Sequence, residues 1–78
     1  MKSKARRGKC IELTYEYIRK YGPCEARDAL SEVNKSFQGE VVMGEMSKYI
    51  AYLHATGRIE GEKDASGHRL WKAVEAEI

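Results

Sequence analysis

The chain has 78 residues, of which 42% are hydrophobic and 33% charged, a composition typical of one folded domain rather than of a disordered segment. Its net charge is +2, and it contains neither an apolar run of membrane-spanning length nor an apolar N-terminal signal region. Cys10 and Cys24 lie outside any metal-ligand spacing. We therefore expect two reduced, partly buried thiols, no metal, no membrane association and a cytoplasmic location.

Basic residues are concentrated at the N-terminus. Residues 1–9 contain no acidic residue, and their five cations are Lys2, Lys4, Arg6, Arg7 and Lys9. We predict that residues 1–8 form a flexible basic arm that can reach phosphate groups. The alternative is a terminus that only improves solubility.

Hydrophobic periodicity predicts two helices in the first half of the chain. The first spans about Lys9–Tyr21 and stops at the breaker pair Gly22-Pro23. The second spans about Cys24–Asn34 and has apolar residues at positions i, i+3, i+4 and i+7. Residues 35–40 are predicted to be a loop in which Phe37 covers the edge of the core.

A third helix is predicted over about Val42–Thr56, and Gly57 is a natural C-terminal cap for it. Residues spaced by three and four form its expected core stripe: Val42, Met46, Tyr49, Ile50 and Leu53. The opposite, outer face carries mainly small residues: Gly44, Lys48, Ala51, Tyr52 and Ala55.

The end of the chain predicts a β-hairpin. A strand begins at Ile59, residues 63–67 form a loop containing glycine, and a second strand returns over residues 68–74. Apolar residues lie on both faces of the returning strand, so periodicity leaves open which face is buried. Residues 75–78 are predicted to be a frayed tail.

The order of three helices and a hairpin over residues 9–74 resembles the winged helix-turn-helix superfamily. The residues that carry this resemblance are Gly22-Pro23, Ser47-Lys48-Tyr49-Ile50, Leu53, Gly57-Arg58-Ile59-Glu60 and Trp71. The resemblance implies an α+β, mostly α fold, with a C-terminal two-stranded wing. It also implies a small transcriptional regulator of bacterial, archaeal or phage type. Such a protein binds double-stranded DNA with its third helix in the major groove and its wing and arm on the phosphate backbone.

The run Leu70-Trp71-Lys72 is also similar to an ending found in winged helices that bind Z-form nucleic acid. Those proteins carry an Asn and a Tyr where this chain has Ser47 and Ala51. They also have prolines in the wing, and the wing predicted here has none. We therefore do not expect Z-form recognition.

The candidate DNA contacts fall in three segments. The third helix contributes Gly44, Glu45, Ser47, Lys48, Ala51 and Tyr52. The wing contributes Lys63, His68 and Arg69, and the arm contributes the five N-terminal cations. For Glu45 two roles remain open: it accepts a hydrogen bond from a cytosine amino group, or it caps the first helical turn.

No catalytic pattern is present, because His54 and His68 have neither a nucleophile nor metal-ligand spacing around them. We expect no enzyme activity, no cofactor and no small-molecule substrate. The competing hypothesis is a protein-interaction module, which would act as an adaptor, an inhibitor or a homodimer. It would use the outer face of the third helix, with Tyr15 and Tyr52 as exposed anchors.

Overall fold

The computed structural model describes residues 4–74. Three helices, α1 (Lys4–Tyr21), α2 (Ala26–Phe37) and α3 (Met43–Ala55), precede a two-stranded antiparallel sheet of β1 (Ile59–Lys63) and β2 (Arg69–Ala73). The predicted α+β fold of three helices and a C-terminal hairpin is confirmed. Within residues 4–74, no helix is long and apolar enough to cross a membrane. The tail predicted over residues 75–78 lies outside the described residues.

Helix α1 begins at Lys4 rather than at Lys9, so residues 4–8 are helical instead of forming the predicted arm. The first turn of α1 contains no acidic residue, so no interaction with the helix dipole favours this start. Two causes remain. Ala and Arg have high helix propensity, and Arg6 is anchored by an ion pair to Glu45 on α3. Of the predicted arm, only residues 1–3 lie outside the described part of the chain.

Helix α2 is shifted toward the C-terminus relative to its prediction. Glu25 and Asp28 form a reciprocal capping box at its start, and Gln38 adopts a left-handed conformation (φ 56°) at its end. The connection to α3 is therefore residues 38–42, shorter than the predicted loop. The Asn34 side chain fixes this turn by accepting from the Val41 N–H at 2.8 Å and donating to the Val41 carbonyl at 2.9 Å.

The core lies between the three helices and the base of the hairpin. Met46, Tyr49, Ile50 and Leu53 are buried on α3, as predicted, and Phe37 packs against the edge of the core. Val42 was wrongly assigned to this stripe, since its exposed fraction is 59% while that of Val41 is 2%. The cause is the pair of hydrogen bonds from Asn34, which holds Val41 at the point where the chain turns inward.

The hairpin is attached to the helices through Trp71. Residue pairs such as Gly61↔Trp71 form the antiparallel ladder, and an isolated bridge joins Trp71 to Cys24 between α1 and α2. The Trp71 N–H donates to the Cys24 carbonyl at 2.8 Å, and the Cys24 N–H donates back at 3.0 Å. Trp71 packs against the core, so its face of the hairpin is the one turned toward the helices.

Both cysteines are free thiols, as predicted, and they are buried rather than only partly buried. Burial is the main cause that raises the pKa of the Cys24 thiol to about 11, and the nearby Asp28 carboxylate adds to it. A thiol with this pKa is protonated and unreactive at neutral pH.

Candidate nucleic-acid interface

The outer face of α3 is exposed and contains no acidic residue. The predicted face residues are all exposed, namely Gly44, Lys48, Ala51, Tyr52 and Ala55, and Ser47 beside them is exposed as well. Helix α3 ends as expected, with Gly57 at φ 78° immediately after its C-terminal cap. This face therefore presents a low surface formed by small side chains, with one cation and two hydroxyl groups.

Glu45 does not belong to this face. Its side chain is 13% exposed, and its Oε2 atom lies 2.6 Å from Arg6 Nη1. The Tyr49 hydroxyl donates to the same oxygen at 2.6 Å. The structure thus supports neither of the two predicted roles, because the carboxylate is turned toward α1 and held by two donors of the protein itself.

Contact with Glu45 perturbs the ionisation of Arg6 and Tyr49. The hydrogen bond to Glu45 is the largest cause that raises the pKa of Arg6. Burial, followed by the hydrogen bond to Glu45, raises the pKa of Tyr49 to about 12. At neutral pH the Arg6 guanidinium is therefore charged and the Tyr49 phenol is neutral.

The first turns of α1 lie beside the outer face of α3. While Arg6 is held by Glu45, the neighbouring Arg7 is exposed, and its guanidinium carbon lies 5.3 Å from the centroid of the Tyr52 ring. The fold thus brings a predicted arm cation next to the predicted recognition helix, although the two segments are far apart in sequence.

The other arm residues are placed differently. Lys9 is exposed on another side of α1, where it lines a surface hollow with Glu12 and Leu13. Lys4 is the first residue of α1, and its side chain lies outside the described part of the structure, as does all of Lys2. Among the cations of residues 1–9 whose side chains the structure describes, Arg7 alone lies at the outer face of α3.

The two faces of the hairpin carry different charges. Residues opposite each other in an antiparallel ladder share a face, so Lys63 and Arg69 lie on the face of Trp71. Glu60 and Glu62 lie on the reverse face, where Lys72 Nζ is 3.4 Å and 3.9 Å from their carboxylate oxygens. The acidic residues of β1 are thus directed away from the side that faces the helices.

The hairpin loop is organised by Asp64. Its Oδ1 accepts hydrogen bonds from the backbone N–H groups of Ser66 and His68, each at 2.9 Å. The hydrogen bond from the His68 backbone is the main cause that lowers the pKa of Asp64. His68, a predicted contact, is exposed at this tip, with its Nδ1 3.6 Å from Asp64 Oδ2.

A groove of about 210 Å³ separates the outer face of α3 from β2. It is lined by Ala26, Ser47, Ile50, Ala51, His54 and Trp71. The rings of His54 and Trp71 meet edge to face, with their centroids 5.3 Å apart. Neither ring was among the predicted site residues. The helical spacing of His54 from Ser47 and Ala51 indicates that the three residues share one side of α3, so His54 could have been predicted. The contribution of Trp71 could not, because it depends on how the hairpin packs against the helices.

Three large apolar or aromatic residues are exposed on α3 or next to its start. Val42 and Met43 at its start are 59% and 41% exposed, and Tyr52 is 44% exposed. Tyr15, predicted to be an exposed anchor, is instead half-buried against the core. The guanidinium of Arg58 covers its ring at 4.1 Å.

No protein-family model matches the chain, and no curated protein shows significant sequence similarity to it. Among residues 4–74, no three His, Cys, Asp or Glu side chains are grouped so that they could hold a metal ion.

Proposed function

We propose that the chain is a non-enzymatic winged-helix protein that binds double-stranded DNA and acts as a small transcriptional regulator. The observation that carries this proposal is the placement of exposed cations on both sides of a low, acid-free helix face. Arg7 flanks α3 on the α1 side. Lys63 and Arg69 lie on the other side, on the face of the hairpin that is turned toward the helices.

The shape of α3 supports this placement. The major groove of DNA admits one helix, and phosphates line both of its edges. Small residues on the outer face, such as Gly44 and Ala51, permit a close approach of the helix backbone to the bases. Ser47, Lys48 and Tyr52 supply donors for base edges or phosphates.

The number of phosphate contacts sets the expected salt dependence. Four described cations are exposed on this surface: Arg7, Lys48, Lys63 and Arg69. At about 0.9 per phosphate, they give a slope of log affinity against log salt near −3.6. Arg6 does not enter this estimate because it is bound to Glu45, and Lys9 does not because it lies on another side of α1.

The test is the affinity for duplex DNA measured from low to physiological salt. Lys48→Ala and Arg69→Ala should each reduce the steepness of the slope by about 0.9. Lys72→Ala removes the same charge from the reverse face of the hairpin and should leave the slope unchanged. Absence of binding at low salt would refute the proposal, and equal effects of all three variants would refute the proposed surface.

A protein-interaction module is the second candidate, and the exposure of Val42, Met43 and Tyr52 around α3 favours it. In its homodimer form, the outer face of α3 would be the contact between two copies of the chain. Sedimentation of the wild type and of Ala51→Glu without DNA tests this form. A wild-type dimer that the substitution dissociates would favour it, whereas two monomers would remove its basis.

A further inference from the structure

The groove between α3 and β2 is a largely apolar, concave part of the surface that we propose faces DNA. Ile50 is buried at its base, and Ala26 and Ala51 leave it open. The rings of Trp71 and His54 meet edge to face and form its aromatic side. A small apolar group of a ligand is therefore suited to this groove.

We propose that the groove receives the C5-methyl group of thymine, so that the protein prefers A·T pairs through this methyl. This inference rests on the proposed function, because it requires α3 to lie in the major groove. On the major-groove edges of the four bases, the thymine methyl is the apolar group among hydrogen-bond donors and acceptors. Alanine and aromatic side chains are suitable partners for it.

The charges around the groove favour a nucleic acid over an apolar peptide as the occupant. Arg69 lies on the hairpin side, with its guanidinium carbon 5.6 Å from the Trp71 ring centroid. Lys48 follows the lining residue Ser47 on α3, and both are exposed. An anionic strand that crosses the groove would thus meet a cation on each side.

Polar groups at the rim fit the same occupant. The Ser47 hydroxyl and the His54 imidazole line the groove on the exposed side of α3. Both can hydrogen-bond to base-edge atoms next to a buried methyl. A groove of about 210 Å³ has room for the methyl and the adjoining ring edge. Each methyl removed from water should raise the affinity about fourfold.

The experiment compares duplexes of equal length that differ only at C5 of the pyrimidines. One pair is an A·T duplex and the corresponding A·U duplex. The other pair is a G·C duplex with cytosine or with 5-methylcytosine. In both pairs the methylated duplex should bind about fourfold tighter or more. Agreement between the two pairs separates the methyl effect from differences in duplex shape, which depend on base composition.

Two matched variants locate the effect. Ala51→Leu fills the groove and should reduce the methylated-to-unmethylated affinity ratio to about one. Ala55→Leu makes the same change one turn further along the exposed face, outside the groove lining, and should preserve the ratio. Trp71 is the single tryptophan of the chain, so its fluorescence should change more with the methylated duplexes.

The outcomes separate this inference from the proposed function. If the wild type binds all four duplexes but each pair equally, the methyl inference is overturned and DNA binding stands. If no duplex binds at low salt, both are overturned. If Ala51→Leu retains the wild-type ratio, the methyl is read elsewhere and the groove assignment is wrong.

Discussion

The outer face of α3 is fixed by different kinds of contact on its two sides. On the α1 side, Glu45 accepts hydrogen bonds from Arg6 and Tyr49, both at 2.6 Å, in a largely buried charged cluster. On the hairpin side, Trp71 exchanges two backbone hydrogen bonds with Cys24, and its indole packs against the core. One side thus depends on charge and protonation, and the other on the close approach of two backbone segments.

This difference determines which substitutions damage each side. A buried charged cluster is sensitive to the loss of a single partner, because the remaining groups stay desolvated without compensation. A close backbone approach is sensitive to added volume, since backbone atoms cannot rotate away as side chains do. The α1 side should therefore respond to removed hydroxyls and to pH, whereas the hairpin side should respond to a single added methyl group.

The largest effect is expected for Gly22→Ala on the hairpin side. A Cβ atom at Gly22 would clash with the Ile18 carbonyl oxygen and would lie 3.0 Å from that of Trp71. Because both are backbone atoms, the chain must shift and the bridge to Trp71 must weaken. We expect a loss of about 3 kcal/mol in the free energy of unfolding, measured by urea denaturation.

Gly44→Ala is the matched control for this prediction. Nothing lies within 4 Å of a Cβ at this exposed helical position. The substitution should stabilise the protein by about 0.5 kcal/mol, because alanine loses less entropy in a helix than glycine. If the two variants had the same stability, close approach at Gly22 would not be what holds the hairpin.

On the α1 side, Tyr49→Phe should have a smaller effect that depends on pH. It removes the hydroxyl that donates to the Glu45 carboxylate, which should cost about 1.5 kcal/mol at neutral pH. The pKa of Tyr49 is raised from 10.0 to about 12 in the folded protein. The stabilisation from its proton is therefore complete below about pH 10 and is lost as the pH rises from 10 to 12.

Urea denaturation of the wild type and Tyr49→Phe below and within this alkaline window checks the sign. The difference in unfolding free energy should shrink as the pH rises through it. Tyr21→Phe, at a residue that is 56% exposed, is the control and should change the free energy of unfolding little. A wild-type advantage that stayed constant across the window would contradict the protonated phenol in the cluster.

Sequence periodicity predicted the elements whose contacts are local. The bounds of α3 agree with the prediction within one residue, because Gly57 ends the helix and its apolar stripe is regular. The start of α1 could not be predicted in this way, since the contact that anchors it joins Arg6 to Glu45, a residue far along the chain. The inward position of Val41 has a similar cause, namely the hydrogen bonds from Asn34.

The candidate site, too, could be predicted only where local spacing along the chain determines which residues are exposed. The exposed residues of α3 follow from a spacing of about 100° per residue, but Glu45 lies at the boundary of the face, where a neighbouring helix decides its direction. The charges of the hairpin could be assigned to faces only once the register Gly61↔Trp71 was known. Alternation along a strand fixes which residues share a face, but not which face is turned to the helices.

The smallest expected effect concerns Arg7, and it tests whether the α1 side takes part in binding. Arg7→Ala should reduce the steepness of the salt dependence of DNA binding by about 0.9 and leave the unfolding free energy unchanged. The reason is that Arg7 is exposed beside Tyr52, and none of the ion pairs described within residues 4–74 involves it. Lys9→Ala removes the same charge two residues later, on another side of α1, and should leave the slope as it is. If both variants reduced the slope equally, the N-terminal charges would act as a diffuse field, and the contact between α1 and α3 would serve only to stabilise the fold.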